Sequence, residues 1–370
     1  MELVVLKSNI KKCLDALTSG VGVNPNVPMT ANVLLETQGN KIKVSSTNLE
    51  IGINCALSGK IIEAGAVSVP YGVFSSIVNN ISSERINLKN RENNLIIQTD
   101  SYEALVQGQN KSEFPIIPQL ESKKNKVVLD KDVFGKSLER VVIAAGTSDL
   151  RPEINGALFS SEAGVVKIAA TDSFRLAEEK IKNRGVHEQP ETGFNLILPL
   201  KSVEAIIKII RFAEEDKVTL YAEANQVLIS AGNVDLISRV IDGKFPDYEA
   251  IIPSSSETEI TLPREELLSA LKLASSFTSR IKDVNLRTKN QKTLEVYSGD
   301  NSLGENKYMI ACKIKGEDSE ITFNLKYILD GVKAQNSDEI TLSLNGNNKP
   351  GLIKSPKDDS YIYVVMPIKT

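Results

Sequence analysis

Tryptophan is absent from this chain of 370 residues and histidine occurs once, at His187. That imidazole stands in the polar segment NRGVHEQP with no obvious partner, so it reads as a surface histidine rather than a catalytic one. Cysteine is scarce too. Cys13, Cys55 and Cys312 are odd in number and widely scattered, which suggests neither a disulfide framework nor a zinc site. Cys13 falls on the apolar face of a helical pattern and reads as a small core residue. No apolar run is long enough to cross a bilayer, and the opening MELVVLKSNIKK lacks the basic start and apolar core of a secretory signal. A cytoplasmic location is the expectation. Also missing are a P-loop, a GxGxxG after a strand, a GxSxG elbow, an HExxH and a CxxC. Carboxylates are plentiful but isolated: Glu214, Glu215 and Asp216 read as a solvated turn after a helix, and Asp358 and Asp359 as loop charges. No catalytic residue, metal ligand or cofactor is expected.

A repeat is what the chain does have. In LILPLKSVEAIIKIIR, from Leu196 to Arg211, an apolar run stops at Pro199, whose fixed φ and missing N–H suit the first turn of a helix. Val203, Ile206, Ile207 and Ile210 then recur at helical spacing, with Lys201, Glu204, Lys208 and Arg211 on the opposite side. Similar strand-then-helix segments begin at Met1, Val67, Lys126, Glu259 and Ile321, separated by roughly sixty to seventy residues of strand-like sequence. Their apolar faces agree: Ile10, Cys13, Leu14 and Leu17 in the first, Phe74, Ile77, Val78 and Ile81 in the second, Leu325, Ile328, Leu329 and Val332 in the last.

A coarser repeat groups these units in pairs. EFPIIP from Glu113 and KFPDYEAIIP from Lys244 are each followed by a polar run, the composition of a linker, and a third proline segment, VVMPIKT, closes the chain. A content of 41% hydrophobic and 25% charged residues is that of ordinary globular protein, and the length fits two or three domains. The repeat selects three, with expected limits 1–122, 123–254 and 255–370. The fold class is α+β: three similar domains, each of two strand-helix-strands repeats.

Net charge is −3, yet cations gather on the helices. Lys11 and Lys12, Lys136 and Arg140, Lys201, Lys208 and Arg211, Arg264 and Lys272, and Lys326 and Lys333 occupy their polar sides. The second helix, with Gly72, Ser75, Ser76 and Asn79, has none. Lysines on solvated helix faces are commonplace. Five helices of six sharing the feature point instead to a basic stripe on an acidic body, the footprint of backbone-level nucleic-acid binding. Two further stretches stand out. TDSFRL, from Thr171 to Leu176, predicts a tight turn in which Asp172 and Ser173 bond to backbone amides, or an ordinary hairpin turn. The closing YVVMPIKT is apolar where a terminus is usually polar, either as a last edge strand or as part of a pocket for an apolar peptide.

TDSFRLA, SRVIDGKFPDY, LRPEINGALF, FNLKYILDGV and YVVMPIK, in this spacing across the whole chain, resemble the bacterial DNA polymerase III beta subunit family, the sliding clamps. The resemblance implies a head-to-tail homodimer closed into a ring around duplex DNA, with helices lining the inner face and sheets outside. It implies a non-catalytic processivity factor without cofactors. DNA would be held by topology and by weak, sequence-blind attraction to phosphates, which lets a ring slide. It also implies a pocket that takes a short apolar peptide, with a glutamine and bulky aliphatic or aromatic residues, from the polymerase III alpha subunit, the clamp loader, other polymerases and repair proteins. Matched position by position, that pocket is Ile154, Thr171, Ser173, Phe174, Arg175, Leu176, Pro246, Ile251, Asn324, Tyr327, Pro350, Val364, Val365, Met366, Pro367 and Ile368. Lys201 matches a family DNA contact, and the other DNA-facing candidates are Lys11, Lys12, Lys136, Arg140, Lys208, Arg211, Arg264 and Lys272. The subunit interface would set Ala104 and Val106, on the strand 102–107, against the region of Phe277, with Glu305 from the family's acidic run. The chain departs from the pattern at Ser173 and Phe174, where Gly-His is common, and at Ala250, where some members carry arginine. Asn24, Gly72, Pro152 and Glu153 also replace basic or aromatic residues.

Two other readings compete. A repeat-built interaction protein without a DNA function leaves the helix cations unexplained, and a hydrolase in an unfamiliar fold lacks any clustered His, Cys or paired acid.

Overall fold

The structure, a computed structural model, describes residues 1–148, 150–182, 185–190 and 193–369. Parts of NRGVHEQP and the final threonine lie outside the described residues. All six repeat copies are a strand that runs directly into a helix. Glu2–Leu6 leads into α1 (Lys7–Leu17), Ala66–Pro70 into α2 (Tyr71–Asn80) and Lys126–Asp130 into α3 (Lys131–Val142). Phe194–Pro199 leads into α4 (Leu200–Phe212), Thr258–Pro263 into α5 (Arg264–Ala274) and Glu320–Asn324 into α6 (Leu325–Lys333). The architecture is α+β, as the sequence predicts.

The spacing that defines each helix also buries it. Val203, Ile206, Ile207 and Ile210 of α4 are buried, as are Ile10, Cys13, Leu14 and Leu17 of α1. Each such side chain contributes about 1.5–3 kcal/mol on leaving water, far more than helix propensity supplies. Pro199 does not enter the first turn of α4. It ends the strand and caps the helix at φ −55°, ψ 144°, and Pro70 and Pro263 do the same before α2 and α5. The ring fixes φ, which suits helix and extended chain alike, and ψ alone distinguishes them.

The described chain packs as two compact units. The first is Met1–Gly135, Ser161–Gly164 and Asn183–Ile241. It holds a five-stranded sheet in the order Gly59–Glu63, Glu2–Leu6, Arg85–Arg91, Asn94–Gln98, Glu103–Val106. It also holds a nine-stranded sheet in which Val234–Arg239 pairs antiparallel with Ile51–Leu57, Val234 opposite Cys55. Helix α1 packs on that strand and against α2 and α4.

The second unit is Lys136–Ser160, Val165–Lys182 and Asp242–Thr370. Here the strands run Val165–Thr171, Arg175–Ile181, Asp358–Val365, Gly351–Ser355, Glu339–Leu344, Thr258–Pro263, Lys313–Gly316. A second sheet runs Gly304–Ala311, Thr293–Asp300, Asp283–Lys289, Glu320–Asn324, and α5 packs on α6. Each unit thus takes strands from two neighbouring repeat pairs into one continuous sheet, which is why packing yields two bodies where the repeat has three domains.

Several local expectations change. The last strand is internal rather than an edge, because Arg175–Ile181 and Gly351–Ser355 flank it, and Val364 and Val365 are buried accordingly. Asp358 and Asp359 begin that strand instead of lying in a loop. His187 is exposed as expected but sits on a short strand, Val186–Glu188. No helix among the described residues is long and apolar enough to cross a membrane.

Candidate functional site

A cavity of about 670 Å³ in the second unit lies where the turn after Val165–Thr171, residues 145–148 and 151–154, and the start of α6 meet. The turn is built by Asp172. Its Oδ1 accepts the amides of Phe174 and Arg175, each at 2.9 Å, and its Oδ2 accepts Arg175 Nε at 2.9 Å. Arg175 Nη1 reaches Asp330 at 2.8 Å, and the guanidinium lies 4.4 Å from the centre of the Tyr327 ring. A buried cation with two carboxylates and an aromatic face is fixed in place. Burial and the nearby Asp172 push the Tyr327 phenol up, so it stays neutral.

Ser173 does not bond an amide through its hydroxyl as expected. It sits at φ +76°, its N–H donates to Thr171 Oγ1 at 3.1 Å, and Arg151 donates to its Oγ at 2.8 Å. Phe174 N–H is held by Asp172, and its carbonyl accepts the Met366 amide at 2.8 Å. The side chain is left 61% exposed. On the facing wall, Asn324 caps α6, accepting the amides of Lys326 and Tyr327.

Of the sixteen residues matched to the family pocket, Ile154, Ser173, Phe174, Arg175, Asn324 and Tyr327 line this cavity. Thr171, Leu176, Val364 and Val365 are buried and form the framework beneath the turn. Met366, Pro367 and Ile368 follow that framework, Met366 bonded to Phe174, Pro367 bridged to Phe323, and Ile368 N–H donating to Thr322. Pro246, Ile251 and Pro350 are not among the lining residues. Eight lining residues were missed: the run 145–148, with Arg151, Asp172, Lys282 and Lys326. Asp172 was visible as the turn former; the others reach the cavity only through the fold.

The helix cations divide into two groups. Lys201 and Lys208 are exposed along α4 and border a recess with Asn24, Asn48 and Glu50. Lys136, Arg211 and Lys272 are exposed as well. Lys11 is tied to Asn79 at 2.7 Å and Asp15 at 3.5 Å, and Lys12 to Glu214 at 2.7 Å. Arg140 and Arg264, expected to face DNA, turn back into the second unit. Arg140 pairs with Glu179 at 2.9 Å, stacks 3.9 Å from the Tyr361 ring centre and donates to the Ala334 carbonyl. Arg264 donates to the carbonyls of Val332 and Lys333 and pairs with Glu265. Arg264 therefore bonds the last two carbonyls of α6, groups at an end where a helix lacks its own partners, and Arg140 bonds the carbonyl of the capping residue Ala334 just beyond.

Two of the sheet edges among the described residues bear on contacts between copies. Glu103–Val106 ends the five-stranded sheet and Gly304–Ala311 ends the four-stranded one. The outward role expected of Val106 does not match its burial, at 4% exposed. Side chains alternate along a strand, and it is Leu105, at 49%, that presents an apolar surface. Ala104 is half-buried. On the other edge Glu305 is exposed, with Lys307 Nζ 3.0 Å away; that hydrogen bond holds its carboxyl below the usual range. Phe277 is half-buried in the turn after α5, next to this strand.

Three domain models match in order: the DNA polymerase III beta subunit N-terminal domain over residues 1–118, its central domain over 128–247 and its C-terminal domain over 249–369. The chain is 26% identical to the beta sliding clamp of Bacillus subtilis (strain 168), all of both chains being covered. It is also 26% identical to that of Chlamydia pneumoniae, over all of this chain and 99% of the relative. The solved DNA polymerase sliding clamp of Bacillus subtilis superposes with a TM-score of 0.93 at 25% identity, covering 100% of this chain and 99% of that one. The DNA polymerase III beta subunit of Thermotoga maritima gives a TM-score of 0.93 at 24% identity and the same coverage. With three domains matched in order on a chain of strand-helix repeats, the protein belongs to the DNA polymerase III beta subunit family.

Proposed function

We propose that two copies of the chain close head to tail into a ring around duplex DNA and slide on it. As a family member the chain is a sliding clamp, a non-catalytic subunit that works with DNA and a polymerase. The finer reading assigns the three domains to 1–122, 123–254 and 255–370, places the protein in the cytoplasm, and joins the edge Glu103–Val106 of one copy to Gly304–Ala311 of the other. The cavity beside Phe174 takes the short apolar peptide of the polymerase III alpha subunit, the clamp loader, other polymerases and repair proteins. Lys201 and Lys208, with Lys136, Arg211 and Lys272, supply weak attraction to phosphates, and Lys11 and Lys12 add to it at the end of their carboxylate contacts.

The observation that supports the ring is that Glu103–Val106 and Gly304–Ala311 are both edge strands, on a chain of this family. A free edge is a row of unpaired amides and carbonyls, and pairing it with another chain satisfies them. The test is retention of the loaded protein on circular against linearised duplex DNA at a salt concentration that abolishes ionic binding. Retention on circles with loss from linear DNA is expected; equal loss from both would leave a repeat-built scaffold as the better account.

A further inference from the structure

Four cations, Arg151, Arg175, Lys282 and Lys326, line the cavity beside Phe174 against one carboxylate, Asp172. Two of the four are already engaged. Arg175 bridges Asp172 and Asp330, and Arg151 pairs with Glu153 at 3.0 Å. Lys282 and Lys326 are exposed, and no ion pair within 4.0 Å joins either to a carboxylate of the described residues. Their backbones are nevertheless fixed. Lys282 sits at φ +55°, its N–H donating to Ser279 and its carbonyl accepting the Leu325 amide at 2.7 Å. Lys326 occupies the first turn of α6, its amide held by Asn324 at 3.0 Å. One wall of the cavity thus carries two uncommitted ammonium groups beside the positive end of a helix, next to the apolar surfaces of Ile154, Phe174 and Tyr327.

We infer that this wall selects partner peptides carrying Asp or Glu beside the apolar anchor, so that the occupant is an acidic-flanked apolar peptide. The inference rests on reading the cavity as the peptide pocket. Charge complementarity carries it: an apolar seat with an unbalanced positive rim favours a segment that brings both an anchor and carboxylates. A nucleic-acid strand would meet the same lysines but gain nothing from an apolar floor that lies inside the cavity.

The test uses the full chain and fluorescently labelled peptides with one shared anchor, a glutamine followed by leucine and phenylalanine, flanked by either aspartates or asparagines. Anisotropy titrations at about 50 mM salt should give the aspartate peptide roughly fivefold to tenfold tighter binding. That gain should vanish in the Lys282→Gln, Lys326→Gln double variant and at about 0.5 M salt. The asparagine peptide should bind the double variant as it binds the unaltered chain. Equal affinity of the two peptides for the unaltered chain, or a gain that survives in the double variant, overturns the inference while leaving the pocket in place. Binding of neither peptide overturns the pocket reading itself and the inference with it. Displacement of the aspartate peptide by a single-stranded oligonucleotide as efficiently as by unlabelled peptide would also overturn it.

Discussion

Phe174 is pinned at both backbone ends, its amide by Asp172 and its carbonyl by Met366, while its ring stays largely in solvent. A side chain so placed gives the fold little and any ligand of the cavity much. Phe174→Asp should leave the unfolding free energy within about 0.5 kcal/mol, since exposed substitutions away from caps and cores rarely do more. The same change sets an unpaired carboxylate against an apolar anchor, and a neutral-flanked peptide should lose at least about tenfold in affinity by anisotropy. Unchanged affinity would move the peptide site elsewhere. The part of this turn that was legible in the sequence is the part made by local bonding: Asp172 lies two and three residues from the amides it accepts. The Ser173 hydroxyl was misassigned because its partner, Arg151, comes from another segment, and no spacing rule reaches across 22 residues.

Helix α6 shows at the next scale how an element ties the cavity to the rest of its unit. It starts at the Asn324 cap on the cavity wall and ends on carbonyls bonded by Arg140 and Arg264. Between them Gly331 meets the Tyr363 ring so closely that an added Cβ would lie 2.4 Å from ring carbon Cδ1. Propensity alone predicts that Gly331→Ala stabilises the helix by about 1 kcal/mol. The contact predicts the opposite: Tyr363 is fully buried on an internal strand and has no room to yield, and overpacking costs about 1–3 kcal/mol. Denaturant unfolding of the variant should therefore show a net loss of about 1 kcal/mol or more, and a gain would mean that strand and helix part easily. The strand-helix boundaries themselves were legible, because the change from period two to period 3.6 is written in consecutive residues. The inward turn of Arg140 and Arg264 was not. A helical pattern tells which side a residue leaves from, but a long side chain ends where its partners are.

For the whole molecule, the repeat was legible as three domains, whereas the sheets that cross from one repeat pair to the next were not. Which strands pair, such as Val234–Arg239 with Ile51–Leu57, is decided by edges that meet only after folding. The open edges raise the same question between copies. A head-to-tail contact is heterologous, so each interface uses one Glu103–Val106 edge and one Gly304–Ala311 edge, and disabling either edge breaks both interfaces of a two-membered ring. Leu105 and Met309 are each 49% exposed on these strands, so Leu105→Asp and Met309→Asp add charge at an edge without emptying a core. By light scattering each variant alone should be monomeric. Mixed, the two variants retain one unaltered interface per pair, because the unaltered edge of each copy meets that of the other. The mixture should then recover the mass of a dimer but stay open, with no retention on circular DNA. If Met309→Asp alone remains a dimer while Leu105→Asp does not, the contact joins like edges and no ring of this kind forms.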